Sequence, residues 1–102
     1  MSEESLLEKL FGESAVLKVL DVLMDYPTMD YSKRDLAEVT GISESAVHEN
    51  WEILEEIGAV EESREHEGTQ LYRLNQDSEV VEHLFKIDQR LRNQKFAERI
   101  ET

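Results

Sequence analysis

A chain of 102 residues, 39% of them apolar, is long enough for one domain around one modest core; its 24 acids against 11 bases leave a formal charge of -13, which excludes a generic polyanion-binding tail and implies a strongly charged, solvated surface. Cysteine is absent, so neither a disulfide framework nor a thiolate metal site is available, and a reducing, intracellular setting is expected. The apolar runs are too short and interrupted to span a membrane, and the opening MSEESLLEKL lacks the basic stretch of a signal peptide, so a soluble, cytoplasmic protein is expected.

Residues 1 to 12 read as a short amphipathic helix. Leu6, Leu7, Leu10 and Phe11 fall at helical spacing, Ser5 and Glu8 offer a capping box, and Gly12 ends the element. The stretch ESAVLKVLDVLMDY, apolar almost all round, predicts a central helix that stops at Tyr26-Pro27, because the residue before proline disfavours the helical conformation. Met29 to Tyr31 has room only for a short extended segment. Ser32 caps the next helix with Asp35 as its capping-box partner, and Leu36, Ala37 and Val39 supply the buried side. Gly41 takes a left-handed turn, Ile42 plugs the core and Ser43 caps a helix to about Ile57, with Ala46, Val47, Trp51, Leu54 and Ile57 facing inward. After Gly58 the periodicity changes, and AVEESREHEGTQLYRLN predicts a β-hairpin turning at His66 to Thr69. Asp77 or Ser78 caps a last helix over residues 77 to 102, where Val80, Leu84, Ile87 and Leu91 form a seam and Val81 and Phe85 lie on a neighbouring face.

The order helix, short strand, helix, glycine turn, helix, hairpin defines a mainly α fold with a small β-hairpin wing. LFGESAVLKVLDVLMDYP, DYSKRDLAEVTGISESAVHENWEILEEIGAVEE and LYRLNQDSEVVEHL together resemble archaeal winged helix-turn-helix transcriptional regulators of the broad MarR and ArsR type, over about residues 10 to 91. The acid-rich, lysine-poor composition is further similar to proteins of salt-loving archaea. The resemblance implies a DNA-binding winged helix over residues 13 to 76, flanked by terminal helices that make a homodimer. It also implies that the helix after the glycine turn reads the major groove, while the wing touches the neighbouring backbone.

Carried onto this chain, the reading face is Ser45, His48, Glu49 and Glu52, at i, i+3, i+4 and i+7 and opposite Val47, Trp51 and Leu54. That face in the family commonly carries Arg, Ser, Thr or Gln, so Glu49 and Glu52 are departures. Glutamate can accept from the cytosine amino group, serine can donate or accept, and histidine can donate to guanine; Ser45, His48 and Glu49 are the candidate base readers, with Ser43 at the helix start. Candidate backbone contacts are Ser32 and the amides of its helix start, Lys33, Arg34, Arg64 and Arg73, with Thr69 and Gln70 near the hairpin tip. Because the screening length falls from about 10 Å at 0.1 M salt to about 3 Å at 1 M, such a face can approach phosphates where salt is abundant, with cations such as K+ between carboxylate and phosphate.

Lys86, Arg90, Arg92, Lys95 and Arg99 near one end oppose Glu3, Glu4, Glu8 and Glu13 near the other. The first helix is therefore expected beside the last, within one chain or across a dimer, with Leu6, Leu10 and Phe11 meeting Leu84, Ile87 and Leu91, and Val80 on the same seam. No nucleophile elbow, phosphate loop or His-x-x-His pair is present, and His48, His66 and His83 fall on different elements, so neither catalysis nor a metal or other cofactor is expected. A protein-interaction module whose acidic face imitates DNA or docks on a basic partner is the competing reading.

Overall fold

In the computed structural model the backbone is described for residues 6–101 and side chains for residues 6–94. The expected Ser5 cap, Glu3 and Glu4, and the side chains of Lys95 and Arg99 lie outside the described residues. Helix α1 spans Leu6–Phe11, α2 Ala15–Asp25, α3 Lys33–Thr40, α4 Glu44–Glu56 and α5 Glu79–Glu101; strands β1 and β2 span Val60–His66 and Thr69–Leu74.

Serines set the starts of four of these helices. The Oγ atoms of Ser14, Ser32 and Ser43 accept from the N–H groups of Leu17, Asp35 and Ala46 at 3.0 Å, and Ser78 accepts from Val81 at 3.3 Å. Each such cap is worth about 1 kcal/mol, because it satisfies an amide that the first helical turn would otherwise leave without a partner. At Ser32 the box closes both ways, since Asp35 Oδ2 accepts the Ser32 N–H at 3.0 Å. Gly41, at φ 78°, ends α3 in the left-handed region and lets the chain turn directly into α4.

The hairpin is antiparallel and pairs Val60 with Leu74, Glu61 with Arg73 and Glu62 with Tyr72, then slips by one residue before Arg64 pairs with Leu71 and His66 with Thr69. Its two turn residues, Glu67 and Gly68, have φ of 49° and 81°; two successive positive values match the right-handed twist of the flanking strands. The short extended segment after α2 joins on the other side of β2: Tyr31 and Tyr72 exchange both backbone hydrogen bonds, each 2.7 Å. The wing is thus three strands deep at this one position.

One core unites the chain. Leu23, Leu36, Leu54 and Leu74 come from α2, α3, α4 and β2, Leu7 joins them from α1 and Val81 from α5, all with at most 2% of their surface exposed. The terminal helices therefore complete the same hydrophobic cluster as residues 13 to 76. Helix α1 lies against α5 and α2 of its own chain, and Glu8, almost fully buried, bonds Lys18 of α2 at 3.3 Å. Arg92 holds Asp88 at 2.7 Å, a bond that raises its pKa further, with Asp25 and Asp21 of α2 adding to the shift. Val39, expected inside, is instead 58% exposed: the inward arc of α3 is only wide enough for Leu36 and Ala37.

Candidate nucleic-acid interface

Helix α4 turns Val47, Trp51 and Leu54 into the core, which by the geometry of the helix leaves Ser45, His48, Glu49 and Glu52 as one exposed strip along its outer side. The three candidate base readers and Glu52 fall together on this side, as their spacing requires. Ser43 stands at the head of the strip, exposed, with one lone pair already given to the Ala46 amide.

The expected backbone contacts of α3 fare differently. Ser32 is 8% exposed, its Oγ accepts the Asp35 N–H, and its own N–H is taken by the Asp35 carboxylate, which occupies the helix start where an anion was expected. Ser32 is thus a helix cap, buried at the head of α3. The Lys33 ammonium lies over the Trp51 ring at 4.8 Å from its centroid and over the Tyr72 ring at 5.6 Å, while the two rings meet edge to face at 4.7 Å. Three elements, α3, α4 and β2, converge on that one ammonium. Trp51 Nε1 is buried with no acceptor among the described residues, so the indole is held by its ring contacts. Arg34, fully outside, pairs with Glu38 one turn on at 3.7 Å.

On the wing, directly opposed residues share a face. Tyr72 and Leu74 turn inward with Val60, so Leu71 and Arg73, with their partners Arg64 and Glu61, stand on the outer face. Strict alternation from Val60 would have put Arg64 on the inner face. The extra residue, Ser63, reverses it: this β-bulge has no partner on β2, and Ser63 Oγ is buried without a hydrogen bond among the described residues. Arg64 Nε then donates to Asp30 Oδ2 at 2.8 Å, and Arg73 bonds Glu61 at 3.2 Å. Gln70 folds back, donating to the carbonyls of Leu71 and Arg64 at 2.9 and 3.2 Å, which stitches the hairpin rather than leaving its amide outward. Thr69 remains exposed beside the tip.

Among the described residues, then, each predicted basic contact is already engaged, three arginines by carboxylates and Lys33 by two rings. Asp30 and Tyr72 were not singled out in the sequence. The bulge that brings Arg64 to Asp30 leaves no compositional mark, but an aromatic at the inward position of β2 opposite a helix tryptophan is a signal that pairing could have supplied. No group of three or more His, Asp or Glu side chains among the described residues is arranged to hold a metal ion, and no helix is long and apolar enough to cross a membrane.

The terminal helices carry exposed apolar side chains: Leu10 53%, Phe11 57%, Val80 41% and Phe85 37%. Leu6 is half-buried. Leu84, Ile87 and Leu91, the rest of the expected partner-facing seam, are half-covered by their own chain, packed on the core that Leu7 and Val81 enter.

Helix, short strand, helix, glycine turn, exposed second helix and hairpin define a winged helix-turn-helix of the DNA-binding type. Among solved structures it is similar to a homodimeric winged helix-turn-helix DNA-binding domain from Mycobacterium bovis, described as a possible ArsR-family transcriptional regulator, at 25% identity and TM-score 0.59 over 89% of this chain and 79% of that one. The fold is shared with ZitR of Lactococcus lactis, at 21% identity and TM-score 0.60 over 98% and 86% of the two chains. It is shared too with a possible transcriptional regulator of Methanosarcina mazei, at 17% identity and TM-score 0.57 over 94% and 80%. No protein-family model and no curated protein sequence matches the chain.

Proposed function

We propose that the protein is a sequence-specific DNA-binding transcriptional regulator that acts as a homodimer at high salt. The observation that carries the reading is the unobstructed strip Ser45, His48, Glu49 and Glu52 on the second helix of a winged helix-turn-helix. That helix enters the major groove, where Ser45, His48 and Glu49 meet base edges, Glu49 accepting from a cytosine amino group. Arg34 at the start of α3 and Arg64 and Arg73 on the wing reach the backbone by leaving their carboxylates, with Thr69 at the hairpin tip. Potassium ions placed between acidic side chains and phosphates, and a screening length of only about 3 Å at 1 M salt, remove most of the repulsion from Glu49 and Glu52. Two such helices in a dimer fit half-sites about one helical turn apart. The homodimeric state of the Mycobacterium bovis domain and the apolar side chains left open on α1 and α5 support a dimer formed by these terminal helices.

The engagement of each predicted basic contact within the chain favours one other reading, a protein-interaction module that offers its acidic helix to a basic partner. Selection of bound fragments from random duplex DNA, run in parallel at 0.1 M and molar KCl, separates the two. Enrichment of a pseudo-palindromic sequence, with affinity that holds or rises toward molar salt, is expected. Absence of any enriched duplex at either salt, from a chain that is folded and dimeric, would leave the interaction module standing.

A further inference from the structure

We propose that Asp30 is an internal stand-in for a DNA phosphate, which holds Arg64 on the outer face of the wing and must be displaced before that arginine can grip a duplex; the idea rests on the DNA-binding reading above. The Arg64–Asp30 pair differs in kind from its neighbours. Arg34–Glu38 is an adjacent-turn pair on one helix and Arg73–Glu61 a cross-strand pair in register, both local consequences of an acid-rich sequence. Arg64 instead reaches across β2 to a carboxylate 34 residues away, and does so because the bulge at Ser63 places it on the outer face.

The two partners are also unequal. Asp30 is sheltered, with 21% of its side chain exposed, and sits directly before Tyr31, whose N–H and C=O are both locked to Tyr72. The Arg64 side chain is 63% exposed. The carboxylate is the fixed dock and the guanidinium the movable arm, since the long exposed side chain can swing outward without disturbing the backbone. A phosphate oxygen can accept the same charge-assisted hydrogen bond that Asp30 Oδ2 takes from Arg64 Nε.

The exchange has a signature in salt. When Arg64 takes a phosphate, roughly 0.9 of a condensed cation leaves the DNA, but the vacated Asp30 carboxylate attracts a cation in its place, so this contact adds almost nothing to the salt dependence. Asparagine at this position keeps the shape and removes both the competition and the cation uptake. Binding of the full-length chain to its selected duplex, followed by fluorescence anisotropy from 0.1 M to 2 M KCl, tests this with the wild type, Asp30→Asn, Arg64→Gln and the double variant. At 0.1 M KCl Asp30→Asn is expected to bind roughly fivefold tighter than wild type, with the gain fading toward molar salt and the log–log salt slope steeper by about 0.9. In the Arg64→Gln background the same change is expected to give no gain. Because the pair also fastens β1 to the Tyr31 segment, Asp30→Asn should melt at a lower temperature, so tighter binding cannot come from a firmer fold. Equal affinity of Asp30→Asn and wild type, or an equal gain with Arg64 already removed, overturns the proposal while leaving the DNA-binding reading intact. Failure of the wild type and of Asp30→Asn to bind duplex at any salt overturns both.

Discussion

Replacing Lys33 by methionine keeps an unbranched apolar stem of similar length over Trp51 and Tyr72 and removes only the charge. The ammonium sits 4.8 Å from one ring centroid and 5.6 Å from the other, within the range in which a cation is attracted by the ring quadrupole. Each such contact contributes about 0.5–1 kcal/mol at an exposed site and about 2 where desolvated; the two rings share one half-buried cation and do not add fully, so about 1 kcal/mol is the expected loss. For a domain of this size that corresponds to a fall in Tm of about 4–8 °C. Differential scanning calorimetry measures it, with Lys33→Arg as the control that keeps the cation and should stay close to wild type. Because the contact ties α3 and α4 to the wing, Trp51 emission should shift in the folded state of Lys33→Met. If Lys33 were instead a phosphate contact swinging free of the rings, the same variant would melt like wild type, keep its emission and lose DNA affinity together with about 0.9 of salt slope. That outcome would refute the ring clamp.

Two residues of α1 should behave oppositely. Leu7→Ala, at a fully buried position, is expected to destabilise by about 2–5 kcal/mol in urea unfolding, whereas Leu10→Ser with Phe11→Ser, at positions more than half exposed, should leave a monomer's stability within about 0.5 kcal/mol while lowering the mass seen by light scattering. An unchanged mass would remove α1 from the dimer contact. Burial, with Tyr26 and Asp25 adding, raises the pKa of the Tyr31 hydroxyl above 10.0 in the folded chain. The neutral phenol is thus favoured on folding, and the stability it contributes is present below pH 10 and lost as pH rises through the raised value. Tyr31→Phe should therefore flatten the alkaline decline in Tm; an unaltered decline would place its cause elsewhere.

Local signals wrote most of the architecture into the chain. Ser32 with Asp35 three residues on, Gly41 between two apolar helical stripes, and a polar turn holding Gly68 each act over a few residues, so the start of α3, the turn into α4 and the hairpin could be read without tertiary information. The exposed strip of α4 followed as well, because helical spacing alone places Ser45, His48, Glu49 and Glu52 on one side. What spacing could not tell was which charges would meet. Ser32 looked available for an anion, but the depth of the α3 start in the fold buries it, and Lys33 looked like a free cation until α4 and β2 brought two rings beneath it. The seam of α5 likewise had one predicted side, while packing divided it between the chain's own core at Leu84, Ile87 and Leu91 and solvent at Val80. Arg64 shows the reason in its simplest form. Its face is set by a single unpaired serine and its partner lies 34 residues earlier, and a contact between residues so far apart exists only once the backbone has closed around a shared core.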